Sequence, residues 1–328
     1  MGSRILVTGG AGYIGSVVVE LLLRQGHRVV VLDNLTHGHR QAVPAGADFI
    51  GAELNHRASL EAVFARGHFD AVMHFAALIE AGESMRVPEL YFRNNTASTL
   101  TLLESVLAHK VKKFVFSSSA ALYGNPEHTP IGEDAPLRPT NAYGESKLLV
   151  EHMLEWFHRI HGLRYASLRY FNVAGAWESR GEDHRPETHL IPRILQVALG
   201  KQASIAVYGD DYPTPDGTCI RDYIHICDLA QAHLLALDAL EHREQLIYNL
   251  GNGKGFSVRE VIETARRVTG HPIPADVQPR RAGDPAVLVA SSAKIHRELN
   301  WTPKFATLDS IVLSAWEWHK AHPEGYEA

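Results

Sequence analysis

The segment TGGAGYIG, near the start of the chain, lies between a short apolar run and a helical pattern. Ile5–Thr8 has the continuous apolar character of a buried strand, and Ser16–Arg24 has the periodicity of a helix. Gly9, Gly12 and Gly15 permit a tight turn, a close approach of the backbone to a pyrophosphate, and close packing of the helix on the strand. The positive end of the helix dipole faces the same point. This feature predicts a βαβ unit that binds a dinucleotide.

Asp33 indicates which dinucleotide is bound. It ends the next predicted strand, Val29–Asp33, roughly 20 residues after the glycine loop, as the fingerprint of such sites requires. A carboxylate there accepts hydrogen bonds from the ribose hydroxyls and repels a 2′-phosphate. No arginine follows it directly, and the next residue is Asn34. The predicted cofactor is therefore NAD and not NADP.

Further apolar runs alternate with helical patterns through the first half of the chain. They are Asp48–Gly51, Ala71–Phe75, Phe114–Ser117 and Tyr165–Tyr170. Continuous runs are typical of strands buried on both faces, and strands that alternate with helices indicate a parallel sheet. We therefore predict an α/β fold built on a doubly wound, Rossmann-type parallel sheet.

Beyond residue 172 the chain becomes richer in polar and turn-forming segments, which indicates a second domain. Helical patterns at Leu190–Leu199 and Val258–Thr269, with a buried strand at Ile247–Leu250, predict a smaller C-terminal α/β domain. The predicted division assigns residues 1–172, plus roughly 222–250, to the NAD-binding domain. Residues from roughly 173–221, plus 251–328, form the substrate domain.

Composition and charge argue against several classes of partner. The net charge is −5, the pI is about 6.5, and no run of Lys and Arg is present, so neither nucleic acid nor a membrane surface is expected. No apolar stretch reaches the roughly 18 residues of a membrane-spanning helix, and Arg4–Val7 leaves no room for a signal peptide. Cys219 and Cys227 lack disulfide spacing, so we expect buried thiols in a reducing cytoplasm. The histidines are scattered, His319 and His322 are expected on a solvated face, and no metal site is predicted.

Tyr143 and Lys147 form a second candidate site. They lie four residues apart at the start of a helical stretch, Leu148–Ile160, so their side chains share one face. Tyrosine has a pKa near 10, and a neighbouring ammonium together with a positive nicotinamide ring would stabilise its phenolate. The run Ser117–Ser119 ends a predicted strand, at the sheet edge where ligands bind in open α/β folds. The pattern therefore predicts that Tyr143 is a catalytic base.

Together with the glycine loop, the motifs HFAA, FSSSAALYG and YGESK resemble those of the extended short-chain dehydrogenase/reductase family. Later motifs narrow the resemblance to the UDP-glucose 4-epimerases within that family. They are YFN at 170–172, THLIP at 188–192, YPT at 212–214, DGT at 216–218, RDYIH at 221–225, RRAGD at 280–284 and ELNW at 298–301. The series runs from end to end of the chain, and its order is far more specific than any single motif.

The resemblance implies a catalytic set and a reaction. Ser119 would hydrogen-bond the 4-hydroxyl of a UDP-sugar, Tyr143 would take its proton, and Lys147 would bind the nicotinamide ribose and lower the pKa of the tyrosine. C4 would give a hydride to NAD⁺, and the 4-keto sugar would take it back on its other face. UDP-galactose and UDP-glucose would be interconverted without net oxidation, so NAD would be retained through many turnovers.

The resemblance also implies binding residues and an oligomeric state. The cofactor contacts are Gly9, Gly12, Tyr13, Ile14, Gly15, Asp33, Asn34, Glu53, Leu54, Phe75, Ala76, Ala77, Asn95, Ser117, Tyr143, Lys147 and Tyr170. The contacts to the UDP-sugar substrate are Ser119, Tyr143, Asn172, His189, Leu190, Tyr208, Arg221, Tyr223, Arg281 and Asp284. The two arginines would clamp the diphosphate, and the aspartate would hold the uridine ribose. Because the helices around Pro88–Ala108 and Tyr143–Ile160 pair between subunits in relatives, a homodimer is expected.

Three positions depart from the pattern of the relatives. Glu53 stands where many of them carry aspartate beneath the adenine, a difference of one methylene. Ile79, followed by Glu80, replaces a lysine on the cofactor side of the site, which removes one charge contact. Leu288 occupies the position that limits the 2-substituent of the sugar, where tyrosine would exclude an N-acetyl group and a small residue would admit it. Leucine is intermediate in size, so both sugars, with and without the N-acetyl group, stay possible substrates.

Alternative functions fit the same scaffold. Epimerases of UDP-N-acetylglucosamine, UDP-arabinose or xylose, or UDP-glucuronate differ only in the sugar pocket. A nucleotide-sugar 4,6-dehydratase would need an Asp-Glu pair where Ala120 and Ala121 stand, which disfavours dehydration. A simple dehydrogenase would release NADH. A non-catalytic NAD-sensing protein would have lost the tyrosine or the lysine, and both are present here.

Overall fold

The computed structural model describes residues 2–281 and 284–326. Its strands are β1 (Arg4–Thr8), β2 (Arg28–Asp33), β3 (Asp48–Gly51), β4 (Ala71–His74), β5 (Lys113–Ser117), β6 (Arg164–Tyr170), β7 (Asn172–Ala174), β8 (Ile205–Tyr208), β9 (Ile220–Arg221), β10 (Tyr223–His225), β11 (Gln245–Leu250), β12 (Phe256–Ser257), β13 (Ala275–Gln278) and β14 (Val287–Leu288). Its helices are α1 (Tyr13–Arg24), α2 (Arg57–Phe64), α3 (Ala81–Ser84), α4 (Pro88–Tyr91), α5 (Ser98–Ala108), α6 (Ala142–His161), α7 (Leu190–Ala198), α8 (Ile226–Ala239), α9 (Val258–Thr269), α10 (Ala293–Leu299) and α11 (Leu308–Ala321). Ala282 and Gly283 of the RRAGD motif, and the chain ends Met1, Glu327 and Ala328, lie outside the described residues.

In the described part of the chain, the largest sheet has seven strands in the order β11-β6-β5-β4-β1-β2-β3. The pairings from β6 through β3 are parallel, and Leu6 of β1 is in register with Val30 of β2 and Val72 of β4. The strand order reverses between β1 and β4, so the carboxyl ends of these strands border the crevice in which doubly wound folds bind ligands. The predicted doubly wound parallel sheet is confirmed.

Both faces of the sheet are buried, since the successive residues Ile5 and Leu6 of β1, which point to opposite faces, are each 0% exposed. Leu6, Val30, Val72 and Phe114, from four adjacent strands, belong to one buried cluster with side chains of α2, α5 and α6. Burying a side chain of this size stabilises the fold by roughly 1.5–3 kcal/mol. The residues at the carboxyl ends of the strands are therefore held on a rigid support.

The first helix begins earlier than its periodicity suggests. The sequence predicts a helix over Ser16–Arg24, whereas α1 begins at Tyr13, directly after Gly12. Tyr13 and Ile14 belong to the first turn, and they do not continue the apolar spacing of the buried side chains further along. The helix N-terminus therefore lies inside the glycine motif itself.

The chain forms two compact units, each made of three separate stretches. The first unit consists of residues Met1–Asn125, Ala135–Arg169 and Ala230–Tyr248, and it contains most of the central sheet. The second unit consists of Pro126–Asp134, Tyr170–Leu229 and Asn249–Ala328. Of the stretch 222–250, which the sequence assigns to the first domain, residues 230–248 group with the first unit, and residues 222–229 and 249–250 with the second.

The second unit has its own apolar core. Side chains from α7, α9 and α11, among them Ile194, Val261 and Ile311, pack together in it. Small sheets complete the unit, with the orders β12-β9-β14, β13-β8 and β10-β7. A smaller α/β unit, built mostly from the C-terminal half of the chain, is thus present, as the sequence predicts. Each helix in residues 2–281 and 284–326 is too short or too polar to span a membrane.

Candidate active site

The glycine loop has the shape of a phosphate cradle. Gly9 has a φ of +74°, and a Cβ built there would lie 2.5 Å from the backbone nitrogen of Ala76. A Cβ on Gly15 would lie 2.2 Å from the carbonyl oxygen of Gly9, so the start of α1 packs directly on the loop. Gly12 caps this helix without a side-chain hydrogen bond. The amide groups of Tyr13 and its neighbours therefore present the positive end of α1 to an anion.

Asp33 lies beside this cradle at the end of β2. Its carboxylate accepts hydrogen bonds from the backbone nitrogens of Ala11, at 3.0 Å, and Leu35, at 2.9 Å. Burial raises the pKa of Asp33, and these backbone donors oppose the increase. The next side chain, Asn34, donates from Nδ2 to both carboxylate oxygens of Glu53 at 3.2 Å. The three polar residues predicted for the adenosine half of NAD thus follow β2 and β3.

Asn95 ties the loop after β4 to the helix α6. It lies in a π-helical turn, Phe92–Ala97, between α4 and α5, a geometry frequent at functional sites. Its side-chain oxygen accepts from the nitrogen of Leu78 at 2.9 Å, and its Nδ2 donates to the Leu78 carbonyl at 3.0 Å. The same Nδ2 donates to the hydroxyl of Ser146 at 3.1 Å. Asn95 therefore holds the loop that carries the predicted contacts Phe75, Ala76 and Ala77.

Two other predicted cofactor contacts have different surroundings. Leu54, which follows Glu53, packs against the apolar core of the first unit. Tyr170 is the last residue of β6, at the carboxyl edge of the sheet, and is partly buried. Both positions stay predictions as cofactor contacts.

Tyr143 and Ser119 are joined by a hydrogen bond. Tyr143 is the second residue of α6, and Asn141 fixes the start of that helix by accepting from the nitrogen of Gly144 at 2.8 Å. Burial raises the pKa of the Tyr143 phenol, the hydrogen bond from Ser119 lowers it, and the charge of Glu80 raises it further. The phenol is thus buried, and a hydroxyl donor stabilises its deprotonated form. Glu80 follows Ile79, the residue that replaces the lysine of the relatives. Its negative charge opposes deprotonation of the phenol.

Lys147 lies one helical turn after Tyr143 and is buried. Its Nζ donates to the carbonyl of Ser117 at 2.8 Å and lies 5.0 Å from the centre of the Phe116 ring. Burial lowers the pKa of Lys147 to about 7. The contact with Ser117 anchors the ammonium at the end of β5, next to the serine run. The predicted effect of this ammonium on the tyrosine stays a prediction.

A buried ion pair supports the serine run, and the sequence analysis missed it. Glu151 of α6 accepts from the Ser118 hydroxyl at 2.6 Å and from two nitrogens of Arg169, at 3.0 and 2.6 Å. Arg169 also donates to the hydroxyl of Tyr123 at 3.0 Å. Glu151 lies four residues after Lys147, so helical spacing places it on the same face and could have indicated its role. The pair fixes Ser118 and therefore the backbone that carries Ser119.

In the second unit, Arg221 and Asp284, which the resemblance assigns to the diphosphate and the uridine ribose, lie close together. The Nη2 of Arg221 is 3.4 Å from the Oδ1 of Asp284. Its Nη1 donates to the carbonyls of Ile220 and Pro285, both at 2.9 Å. Leu288 is in register with Arg221 across β14 and β9. The residue expected to limit the sugar therefore lies beside the predicted diphosphate clamp.

Tyr208 lies beside two arginines of this unit, Arg281 and Arg193. The guanidinium carbon of Arg281 lies 4.0 Å from the centre of the Tyr208 ring. Hydrogen bonds from Arg281 and then Arg193 lower the pKa of the Tyr208 phenol. Arg193, in the first turn of α7, was not predicted. Arg193 directly follows the THLIP motif at 188–192, and this position could have indicated its role.

The remaining predicted substrate contacts divide into two groups. Asn172 and Tyr223 are in register across β7 and β10, and their side chains are hydrogen-bonded. His189 precedes α7, and its Nδ1 faces the carboxylate of Glu182 at 2.9 Å. Leu190 packs against the core of the second unit. All four stay predictions as nucleotide contacts.

Comparison with known proteins gives one consistent result. Residues 5–251 match the model of the NAD dependent epimerase/dehydratase family. The chain is 55% identical to a UDP-glucose 4-epimerase of Streptomyces lividans, across 100% of this chain and 99% of that protein. It is 52% identical to a UDP-glucose 4-epimerase of known crystal structure, with a TM-score of 0.97 over 99% of this chain and 100% of that one. A third relative, from Bifidobacterium longum, was crystallised with NAD⁺ and UDP; it is 40% identical, with a TM-score of 0.93 over 99% of this chain and 100% of that one.

The family model covers the glycine loop, Asp33, the serine run and the Tyr143–Lys147 pair, and the similarity to whole relatives continues through the second unit. The chain therefore belongs to the NAD dependent epimerase/dehydratase family, and NAD is its cofactor.

Proposed function

We propose that this protein is a UDP-glucose 4-epimerase, which interconverts UDP-galactose and UDP-glucose. The observation that carries the proposal is the hydrogen-bonded pair of Ser119 and Tyr143, with Lys147 buried one turn further along α6. The names of the relatives that match the whole chain support the same activity.

The residues of the first unit supply proton transfer and positioning. When bound, NAD supplies a reversible acceptor of hydride for C4 of the sugar. Tyr143 takes the proton of the 4-hydroxyl as C4 is oxidised, and it returns the proton when C4 is reduced on its other face. Ser119 orients the 4-hydroxyl and donates a hydrogen bond that favours the phenolate. Lys147, anchored at the end of β5, supplies a positive charge in its protonated form.

The second unit binds the UDP part of the substrate. Arg221 and Arg281 offer guanidinium groups that suit phosphate oxygens, and Asp284 offers a carboxylate to the ribose hydroxyls. Arg221 is already held by two backbone carbonyls, which reduces the entropy lost when it binds. Tight binding of UDP allows the sugar itself to be held loosely, so that either of its faces can react.

The decisive experiment is incubation of the purified protein with UDP-galactose, without added NAD, and separation of the products. We expect UDP-glucose to accumulate to a fixed ratio from either direction. Formation of a stable 4-keto-6-deoxy sugar would instead indicate a dehydratase, and a requirement for added NAD with release of NADH would indicate a simple dehydrogenase.

Leu288 decides whether N-acetylated sugars are accepted. We propose that leucine admits UDP-N-acetylglucosamine more weakly than UDP-glucose, because it is smaller than tyrosine but still fills part of the space beside Arg221. Leu288→Tyr should abolish turnover of the N-acetylated sugar and leave turnover of UDP-galactose within a few-fold. Equal loss of both activities would show that Leu288 does not face the 2-substituent.

We also propose a homodimer that pairs through α4–α5 and α6. These helices expose large apolar side chains in the single chain, with Leu90 at 40%, Leu100 at 39%, Trp156 at 60% and Ile160 at 67% exposed. Exposed apolar patches of this kind mark interaction surfaces. Sedimentation of the protein should give twice the mass of one chain, and Trp156→Glu should give monomers. The control Leu313→Glu changes an apolar side chain that is 45% exposed on α11 and should leave the dimer intact.

A cytoplasmic location belongs to the same proposal. Cys219 and Cys227 are both buried thiols that form no disulfide, which suits a reducing compartment. Cell fractionation against cytoplasmic and membrane markers tests it.

A further inference from the structure

Four side chains from one short loop converge in the second unit, just before α7. Glu182, His184, Glu187 and His189 each direct one nitrogen or oxygen atom to the same point, and these four atoms lie within 4.8 Å of one another. No step of the proposed epimerisation uses Glu182, His184 or Glu187. The convergence therefore needs a separate explanation.

The distances between the four atoms are close to those between the ligands of a bound metal ion. The Nδ1 of His189 lies 2.9 Å from Glu182 and 3.1 Å from Glu187, and the Nδ1 of His184 lies 3.2 Å and 3.8 Å from the same two carboxylates. Tetrahedral zinc sites with bonds of about 2.0–2.2 Å have ligand–ligand distances of roughly 3.3–3.6 Å. The four measured separations, 2.9 to 3.8 Å, bracket this range.

The charges in the cluster favour a cation. The side chains of Glu182 and Glu187 are each only 5% exposed. Two carboxylates buried beside each other repel, and the repulsion is strong because little water screens it. A divalent ion between them would balance both charges at once. Without an ion, protonation of both histidines would balance the two carboxylates.

The donor set indicates which class of ion fits. Calcium and magnesium take oxygen ligands, whereas imidazole nitrogens suit zinc and its neighbours in the first transition row. Two histidines and two carboxylates complete a tetrahedral shell from protein atoms alone, which is typical of structural zinc sites. We propose that Glu182, His184, Glu187 and His189 bind a divalent transition-metal ion of the zinc class.

Such an ion would stabilise the loop that leads into the N-terminal end of α7. The cluster borders a cavity of about 620 Å³, whose other walls come from the end of α7 and from α11 and the residues after it. The four ligands span only the loop from residue 182 to residue 189, so the ion would fix this loop and the start of α7 as one rigid element. The site is therefore structural, and its existence does not depend on which sugar the protein converts.

The first test measures metal on the full-length, tag-free protein. Protein stripped with a chelator should take up one Zn²⁺ per chain, measured by mass spectrometry of the metal after dialysis. At a hundredfold excess over Kd the melting temperature should rise by about 5 °C. Substitution with Co²⁺ should give the intense visible bands of a tetrahedral site. A chain that takes up no stoichiometric Zn²⁺ and shows no Co²⁺ bands would establish a cluster of ion pairs and overturn the proposal.

The second test uses matched variants. Glu187→Gln and His184→Gln each remove one ligand and should weaken Zn²⁺ binding by at least a hundredfold. The control Glu324→Gln removes a carboxylate at the same cavity that is 79% exposed and bonded to Lys201, and it should bind Zn²⁺ like the wild type. If Glu187→Gln binds as tightly as the control, the assignment is wrong. If a ligand variant does not fold, the Co²⁺ spectrum of the wild type decides.

Discussion

The Nε2 of His74 lies 2.7 Å from the hydroxyl oxygen of Thr99, in the interior of the first unit. Thr99 gives its single hydroxyl proton to the carbonyl of Asn95, at 2.6 Å. Nε2 must therefore carry a proton and donate it to Thr99. Burial favours the neutral imidazole, whose Nδ1 then accepts from the hydroxyl of Thr8, at 2.6 Å. These hydrogen bonds link the end of β1 to the turn that carries Asn95.

The neutral imidazole predicts a loss of stability in acid. Burial, and then the charge of Lys147, lower the pKa of His74 to about 3, whereas the unfolded chain has a pKa of about 6.5 at this residue. Between these values the unfolded chain binds one proton more than the folded chain. The free energy of unfolding should therefore fall as pH falls below 6.5, by up to about 1.4 kcal/mol per pH unit and about 5 kcal/mol in all.

His74→Gln should remove this part of the pH dependence, at the cost of some stability at neutral pH. Urea unfolding of both proteins at several pH values measures it. Above pH 6.5 the two curves of stability against pH should run parallel, which serves as the control. Equal slopes below pH 6.5 would show that His74 does not carry the effect.

Tyr143→Phe removes the proposed base and retains the ring. Because general base catalysis contributes about 10²- to 10⁴-fold, turnover of UDP-galactose should fall by that factor. The affinity for UDP should change little, since the proposed UDP contacts Arg221, Arg281 and Asp284 belong to the second unit. Tyr165→Phe, at a buried position of β6, is the control and should retain turnover. A Tyr143→Phe protein as active as this control would reassign the base.

Gly15→Ala tests the packing of α1 on the glycine loop. The added Cβ would lie 2.2 Å from the carbonyl of Gly9, so backbone must move. Overpacking of this kind costs about 1–3 kcal/mol, and the distorted loop should bind NAD more weakly. Gly82→Ala is the control, because its Cβ meets nothing within 4 Å. Bound NAD, measured after purification, should fall for Gly15→Ala alone; equal NAD content in both variants would argue against this loop as the cradle.

Glu151→Gln tests the buried ion pair beneath the serine run. The change removes the carboxylate charge that faces the guanidinium of Arg169, where the two side chains are only 4% and 6% exposed. Loss of one partner of a buried pair costs about 3–5 kcal/mol. Glu155→Gln breaks an exposed pair with Arg159 on the same helix and should cost less than about 1 kcal/mol. Similar denaturation midpoints for the two variants would show that the buried pair contributes no more to stability than the exposed one.

The sequence predicts the central sheet well because continuous apolar character is a local signal. The predicted strands Ile5–Thr8, Val29–Asp33 and Asp48–Gly51 agree with β1, β2 and β3 to within one residue at each end. Contacts between distant stretches carry no such local signal. The backbone of Ile131 pairs with Val289 and Ser291, so the stretch Pro126–Asp134 groups with the second unit, and no pattern in residues 126–134 indicates it.

For the candidate site, residue type and position predict the glycine loop, Asp33, Tyr143 and Lys147. Their surroundings depend on burial, which the sequence does not contain. Examples are the hydrogen bond from Ser119 to Tyr143 and the anchoring of Lys147 on Ser117. The Glu182–His189 cluster was missed for a different reason. Its spacing, Glu-x-His-x-x-Glu-x-His, is visible in the sequence, but the segment resembles an ordinary polar loop.

The division of the chain into six alternating stretches also has a consequence for its synthesis. The chain passes from one unit to the other five times, so neither unit corresponds to a contiguous gene fragment. β11, the edge strand beside β6, begins only at Gln245, so the ribosome must complete about three quarters of the chain before the sheet can close. A truncation between the end of β6 and residue 245 therefore leaves β6 as an open edge, prone to pair with another chain.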